Sequence, residues 1–403
     1  MAFERDDTAS TTSLLRVINE RAVFERIRQL GPVSRPQLAQ ATGLSKPTIS
    51  LALADLERWG LVRAVGHRTG NTGRAAQLYE MRPESGFVIA VDVGRSWIRL
   101  ALANLAGDVL ARRTEPSQAS ASRALVAQIA RLVHALPGEV GVGYERITFT
   151  VIGSPGFVDR LSGTIRLAPN LAGWGGPSVL KSLRARLGPA FALENDVKLA
   201  TLGEQAHGQG KGVANFALVS IGTGIGMGIV IDGKLYRGSR GAAGEIGYLP
   251  VGEPEAKIAQ IMQRRGWLES VAAADGVMAT AKRVGLKNKA TAKDVFDAAR
   301  DGDPRAEEVV AIEAEHLARA VASVTSVIDP ELVVLGGGIG RNADLLADPM
   351  RRELAATIPI VPDIVGGHLG EDAVLVGAIA AAKDTAWDLV VDRRVLRRSA
   401  GEA

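Results

Sequence analysis

The chain has 403 residues, 46% apolar and 23% charged, with a net charge of +4 and no cysteine. That length exceeds what one hydrophobic core holds, so two or three domains are expected, and the lack of cysteine excludes disulfides, thiolate metal sites and cysteine nucleophiles. No window approaches the roughly 18 uninterrupted apolar residues of a membrane span, and the acidic opening MAFERDDTAS does not read as an export signal, so a soluble, cytoplasmic protein without a membrane partner is expected.

The charge is unevenly spread. Residues 1–82 hold 12 Lys and Arg against 8 Asp and Glu, a difference of +4 that equals the whole excess. A basic small domain on a near-neutral body suggests a polyanionic partner for that domain.

Apolar residues at Leu14, Leu15, Ile18, Val23, Ile27 and Leu30 predict a first helix that stops at Gly31-Pro32. Ser34 is a good N-cap for a second, short helix that closes at Gly43, where glycine adopts the left-handed conformation at little cost. Ser45 caps a third helix, Pro47 falls in its first turn, and Ile49, Leu53, Leu56 and Trp59 share one face. A short helix, a glycine turn and a second helix make a helix-turn-helix, whose second helix presents its N-terminal residues to the major groove. Here those residues are Ser45, Lys46, Thr48 and Ser50, with Ser34 and Arg35 at the start of the preceding helix. Gly60–Val65 and Leu78–Met81 read as strands around the glycine-rich stretch GHRTGNTGRAAQ, a wing whose tip carries Arg68 and Arg74 for phosphate or minor-groove contact. The expected partner is a double-stranded DNA operator.

From Phe87 the texture changes. FVIAVDVGRSWIRLALANLAGDVLARRTE predicts three strands joined at Gly94 and at Ala106-Gly107, and Leu125, Ile129, Leu132, Val133 and Leu136 then mark a helix. NFALVSIGTGIGMGIVIDGKLYRG repeats the plan, with a glycine turn at Gly222-Thr223-Gly224 and another turn at Asp232-Gly233. A third glycine cluster, Gly336 to Gly340, follows a strand over Glu331–Leu335. Any one such turn needs glycine for reasons unrelated to ligands. Two lobes built alike, each with a glycine turn after its first strand, suit a phosphate-binding cleft.

Several motifs resemble those of the ROK family, named for repressors, open reading frames and sugar kinases: IGTGIGMGIVIDGKLYRGSRGAAGEIGY at Ile221–Tyr248, GSPGFVD at Gly153–Asp159, APNLAGW at Ala168–Trp174, ENDVKLATLGE at Glu194–Glu204 and RRGWLES at Arg264–Ser270. The resemblance implies an α/β fold, a winged helix-turn-helix followed by a two-lobed actin-like, hexokinase-like (ribonuclease H-like) body. The implied division is residues 1–82, 83–194 and 195–371, a C-terminal helix over 372–386 packing back on the first lobe, and a basic tail over 387–403. The leading winged helix resembles the repressor branch of xylose and N-acetylglucosamine type.

By the same resemblance, Asn170, Asn195, Asp196, Glu245, Tyr248 and Glu269 would form the sugar site. Asp196 occupies the position of the general base that accepts the sugar hydroxyl's proton in the kinases. Gly94, Ser96, Gly222, Thr223, Gly224, Gly336 and Gly337 would be a vestigial nucleotide site. Three departures matter. Arg95 replaces a glycine in the first phosphate turn, where side-chain bulk or an unfavourable φ works against nucleotide binding. Tyr248 replaces the histidine that relatives use for a structural zinc, and the zinc cysteines are missing, so no metal and no cofactor is expected. Lys198 stands where many kinases of the family read Asn-Asp-Ala-Asn, and it is expected in solvent. The expected function is a sugar-responsive transcriptional regulator, a repressor of carbohydrate uptake or metabolism genes, acting as a homodimer or tetramer with a sugar or sugar phosphate as effector. The alternative is an ATP-dependent sugar kinase with an attached DNA-binding domain.

Overall fold

The structure, a computed structural model, describes residues 7–68, 76–159, 161–162, 164–168, 171, 173–250 and 266–399. Arg74, Asn170 and the segment 251–265 lie outside the described residues.

The small domain begins with α1 (Asp7–Leu30), which ends at Gly31, where φ is 71°. There follow β1 (Val33–Ser34), α2 (Arg35–Thr42), α3 (Lys46–Arg58), β2 (Val62–Arg68) and β3 (Ala76–Met81), the strands forming one antiparallel sheet in the order β1-β3-β2. Gly43 closes α2 with φ 71° and donates to the Ala39 carbonyl at 2.9 Å, the left-handed cap that frees the chain to restart at once. Ser45 then accepts the Thr48 N–H at 3.3 Å and starts α3. Ile49, Leu53 and Leu56 are fully buried, as their spacing predicts. On α1 the buried stripe is Val23, Phe24 and Ile27, whereas Leu15 and Ile18 are 56% and 52% exposed. That helix outruns the small core it covers. A buried charge fixes α1 on α3: Asp55 is 1% exposed and accepts from the Arg16 Nε at 2.9 Å, with Arg58 at 3.3 Å.

The body is two lobes of one topology. In the first, β4 (Phe87–Val93), β5 (Trp97–Asn104), β6 (Val109–Pro116), β7 (Ile147–Ser154) and β10 (Phe191–Asn195) form a sheet in the order β6-β5-β4-β7-β10. Helices α4 (Ser122–Ala135) and α5 (Pro177–Leu187) and the hairpin β8 (Phe157–Asp159) with β9 (Thr164–Arg166) complete it. After α6 (Asp196–His207), the second lobe has β11 (Phe216–Ile221), β12 (Ile225–Ile231) and β13 (Lys234–Tyr236), helices α7 (Trp267–Ala272), α8 (Ala274–Arg283), α9 (Ala292–Arg300) and α10 (Pro304–Ile328), and then β14 (Leu332–Gly336), α11 (Gly337–Gly340), α12 (Ala343–Thr357) and β15 (Asp363–Gly366). Its sheet order, β13-β12-β11-β14-β15, repeats the first: antiparallel for the first three strands in sequence, parallel for the next two. The duplication legible in the glycine turns is therefore a duplication of pairing.

The chain ends in α13 (Ala373–Ser399), which returns to the first lobe, covers β4 and β7 and lies along α6. The expected boundary at 386 is not there: the helix continues, and Trp387, Val390 and Val391 are 4%, 6% and 4% exposed. A count of basic residues suggested a tail, but the apolar residues between them bury one face. Those residues share a core with Val23, Phe24 and Ile27 of α1, so the small domain is docked on the end of α13. The Phe24 and Trp387 rings meet edge to face at 5.5 Å, and the Trp387 indole donates to the Leu105 carbonyl at 3.2 Å. Arg21 pairs with Asp388 and Asp392, and Arg28 with Asp384.

Two glycines let α6 and α13 touch backbone to backbone. A Cβ on Gly377 would stand 1.7 Å from the Leu199 carbonyl oxygen, and one on Gly203 2.4 Å from that of Ala373. Gly377→Ala should therefore lower stability by about 3 kcal/mol, at the upper end of overpacking costs, in chemical denaturation, while Gly138→Ala, with open space around it, should leave it unchanged. Arg16→Met should lower stability by about 2 kcal/mol, the scale of a lost hydrogen bond to a buried charge.

Candidate effector cleft and nucleic-acid interface

A cavity of about 210 Å³ opens beside the start of α6 and gathers Asn195, Asp196, Gly222, Thr223, Gly224, Glu245 and Glu269 on its wall. Strand β10 runs straight into α6, so the helix begins at the sheet's edge with Asn195 as its N-cap. Asn195 Oδ1 accepts the Lys198 N–H at 3.0 Å, and its amide nitrogen donates to the Gly156 carbonyl at 3.0 Å and to Asp196 Oδ1 at 3.2 Å. Both of its N–H donors are thus engaged, and only acceptor capacity remains for a ligand hydroxyl. Asp196 Oδ1 also accepts the Val197 N–H at 2.8 Å. Burial pushes the Asp196 carboxyl above its ordinary range, while backbone hydrogen bonds from Val197 and from its own N–H oppose the shift.

Two more carboxylates face it. Glu245 is raised by burial, pulled back by Lys198 and raised again by the charges of Asp196 and Glu269. Glu269 Oε2 accepts the Ile225 N–H at 3.1 Å, and a Cβ on Gly224 would come within 2.9 Å of that oxygen. Glu269 therefore anchors the glycine turn as well as facing the cavity. Tyr248 is 40% exposed, its hydroxyl raised by burial and by Glu269 and Glu245. Leu167, which no spacing singles out, also lines the cavity with a left-handed φ of 56°. Gly156 makes room for it, since a Cβ there would stand 2.2 Å from the Arg166 carbonyl oxygen. Strained backbone of this kind gathers at ligand sites, but a leucine carries no sequence signal for it.

The glycine turns separate. Gly94, Ser96, Gly336 and Gly337 are not on this wall. Gly337, with φ 77°, would place a Cβ 2.4 Å from the Ile221 carbonyl oxygen, so it is required by the packing of α11 on β11 whatever the cleft binds. The φ suspected of straining Arg95 is not left-handed, and the side chain is exposed. Below the first turn, Asp92 is 8% exposed and its carboxyl is pushed up to about 7, by burial first and then by the charge of Asp196, with Arg99 opposing from 3.4 Å.

On the small domain, Lys46, Pro47, Ser50 and Leu51 are exposed on α3, Leu51 by 49%. Leu51 was not among the expected contacts. Its signal was present, an apolar residue off the face of Ile49 and Leu53, and such a side chain suits a thymine methyl group. Arg35 is exposed with its guanidinium 5.3 Å from the Tyr79 ring centroid. Ser45 and Thr48 share a hydroxyl contact at 2.8 Å. Ser34 is a correction: it is 5% exposed, and both its N–H and hydroxyl donate to Gln37 Oε1, at 3.0 and 2.7 Å, so it shapes the helix start and does not face outward. Arg68 ends β2.

A profile described as the ROK family matches residues 88–385. The chain belongs to the ROK family. A glucokinase of Thermotoga maritima is 33% identical over 316 residues, covering 74% of this chain and 97% of that protein. A xylose repressor of Caldicellulosiruptor bescii is 25% identical over 393 residues, 91% of this chain and 96% of the repressor, and so extends into the small domain. The crystal structure of a ROK family transcriptional regulator, described as a homolog of the E. coli MLC protein, superposes with a TM-score of 0.77 at 23% identity, covering 95% of this chain and 99% of that one. That likeness supports the fold of the small domain and the lobes together.

With no cysteine in the chain and a tyrosine at 248, the thiolate zinc site that the family resemblance implies has no sulfur donors here. Among the described residues no group of three or more metal-binding side chains is present, and no helix is long and apolar enough to cross a membrane. Lys198 corrects a further expectation. It is 1% exposed, not solvated, and its ammonium donates to the Gly241 carbonyl.

Asp92 gives a pH test. Its folded carboxyl titrates near 7 and its unfolded one near 4, so the native state holds a proton that the unfolded chain has released between those values. This contribution therefore favours the fold at low pH and declines as pH rises through that window. Asp92→Asn should raise the denaturation midpoint over wild type at pH 8 and bring no gain at pH 4.

Proposed function

We propose that this ROK protein is a sugar-responsive transcriptional repressor that binds operator DNA through α3 and senses its effector in the cleft of Asn195, Asp196, Glu245 and Glu269. The observation that carries the reading is the continuity between the two sites. Asp196 opens α6, α6 touches α13 at Gly203 and Gly377, and α13 holds Trp387 against Phe24 of the DNA-binding domain. A polyol hydroxyl donates to carboxylates that burial leaves poorly solvated, so a sugar suits the acceptors gathered in this cleft. An effector that favours one placement of α6 then shifts the position of the reading heads, and coupling of this kind amounts to roughly 1–3 kcal/mol. In a homodimer or tetramer, the heads match half-sites about 10 base pairs, or a multiple of that, apart.

Electrophoretic shift assays on DNA upstream of sugar-uptake genes test this reading. Lys46→Ala should weaken binding to every sequence and reduce the salt slope by about one, whereas Leu51→Ala should relax sequence preference. Asp196→Asn should leave operator binding intact and abolish its response to sugar. A protein that never retards such DNA would refute the proposal. A second reading, a sugar kinase with a DNA-binding domain, is favoured by the glycine turn 222–224 in the same cavity as Asp196 and by the identity to a glucokinase. ADP release with glucose or xylose that is lost in Asp196→Asn would establish it.

A further inference from the structure

We infer that Leu167 is the specificity-determining residue of the cleft: its side chain meets the C–H face of a cyclic sugar and selects the closed ring over open-chain polyols with the same hydroxyls. The inference rests on the sugar-sensing reading above. Leu167 follows β9 directly and lines the cavity that Asn195, Asp196, Glu245 and Glu269 share. Its φ of 56° is left-handed, a conformation that is unfavourable for leucine and that glycine or asparagine adopts readily. The side chain is 43% exposed and belongs to none of the hydrophobic cores of the described residues. Neither backbone preference nor core packing accounts for a leucine at this position. What remains is the cavity it borders.

The backbone holds Leu167 in place. Gly156, with φ 76°, has no room for a Cβ, which would stand 2.2 Å from the Arg166 carbonyl oxygen and 3.0 Å from that of Leu167. The Gly156 carbonyl in turn accepts the Asn195 side-chain amide at 3.0 Å, which ties this corner to the N-cap preceding Asp196. Arg166, the last residue of β9, pairs with Asp159 of β8 at 3.1 Å and so steadies the hairpin that leads into Leu167. Acceptors and apolar surface reach the cavity from different lobes. Glu245 and Glu269 belong to the second lobe and Asp196 opens α6, whereas Pro155, Gly156 and Leu167 come from the first, with Leu167 the largest of the three. A pyranose fits this division, because its hydroxyls point outward from the ring edge to the carboxylates while its ring carbons present C–H surface. An alditol carries the same hydroxyls without a fixed ring face and loses more conformational freedom on binding. The leucine therefore favours ring closure.

The test is calorimetric titration of the full chain with glucose, xylose and their alditols, glucitol and xylitol. Wild type should bind one of the two sugars about tenfold or more tightly than its alditol. In Leu167→Gly and in Leu167→Asn, both suited to the left-handed backbone, that sugar should lose about tenfold in affinity and the alditol little, so that the ratio between them collapses. Chemical denaturation should show Leu167→Asn at least as stable as wild type. A ratio that stays unchanged in both variants overturns the inference. So does a loss of stability in Leu167→Asn, which would make the leucine a packing residue. If Asp196→Asn abolishes sugar binding while the variants at 167 keep the ratio, only the role of Leu167 falls. Binding that Asp196→Asn leaves unchanged, or a wild type that binds none of the four, overturns the sugar-sensing reading and this inference with it.

Discussion

The contact on which the rest of the molecule depends is the crossing of α6 and α13. Two helices approach closely only where neither has a side chain in the way, and here Gly203 and Gly377 each face the other helix's backbone carbonyl. The far end of α6 is fixed as firmly. Glu204, 1% exposed, accepts the Gln209 N–H at 2.8 Å and the Leu369 N–H at 2.9 Å, which ties the helix to the turn leading into α13. Contacts with α13 and with the turn before it thus hold α6 at its middle and at its far end. Packed interiors transmit strain because they are dense and incompressible.

At the other end of α13 the junction to the small domain combines a strong element with weak ones. The Phe24–Trp387 contact buries two aromatic rings, the kind of pair that dominates interfaces. Arg21, Asp388 and Asp392 are each 51% exposed, so their ion pairs add little energy and mainly fix the angle of approach. The junction is held chiefly by the core that Trp387, Val390 and Val391 share with Val23, Phe24 and Ile27, with the exposed charges around it.

The glycine turns bear differently on regulator and kinase than their sequence suggests. Gly337 is required by its left-handed φ and by its contact with the Ile221 backbone, whatever the cleft binds, whereas Gly224 meets only the flexible end of Glu269. What separates the ROK relatives is the share of the chain they match, 74% for the glucokinase and 91% for the xylose repressor. The cleft itself, with Asp196 beside the turn 222–224, keeps elements that serve either chemistry.

The sequence by itself determined the local elements. Gly43 and Ser45 set the helix-turn-helix, because left-handed glycine and an N-capping hydroxyl act within a few residues of themselves, and the repeated strand and turn pattern announced two lobes of one topology. It also brought together Asn195, Asp196, Glu245 and Glu269 through family motifs. Only the tertiary structure decided which side chains are covered. Ser34 faces inward onto Gln37, Lys198 is buried beneath the loop of Glu245, and the supposed tail from 387 is the docking face for the small domain. Burial of this kind is set by partners far away in the chain, Gly241 for Lys198 and Phe24 for Trp387, and no local pattern of residues encodes a neighbour that the fold alone brings near.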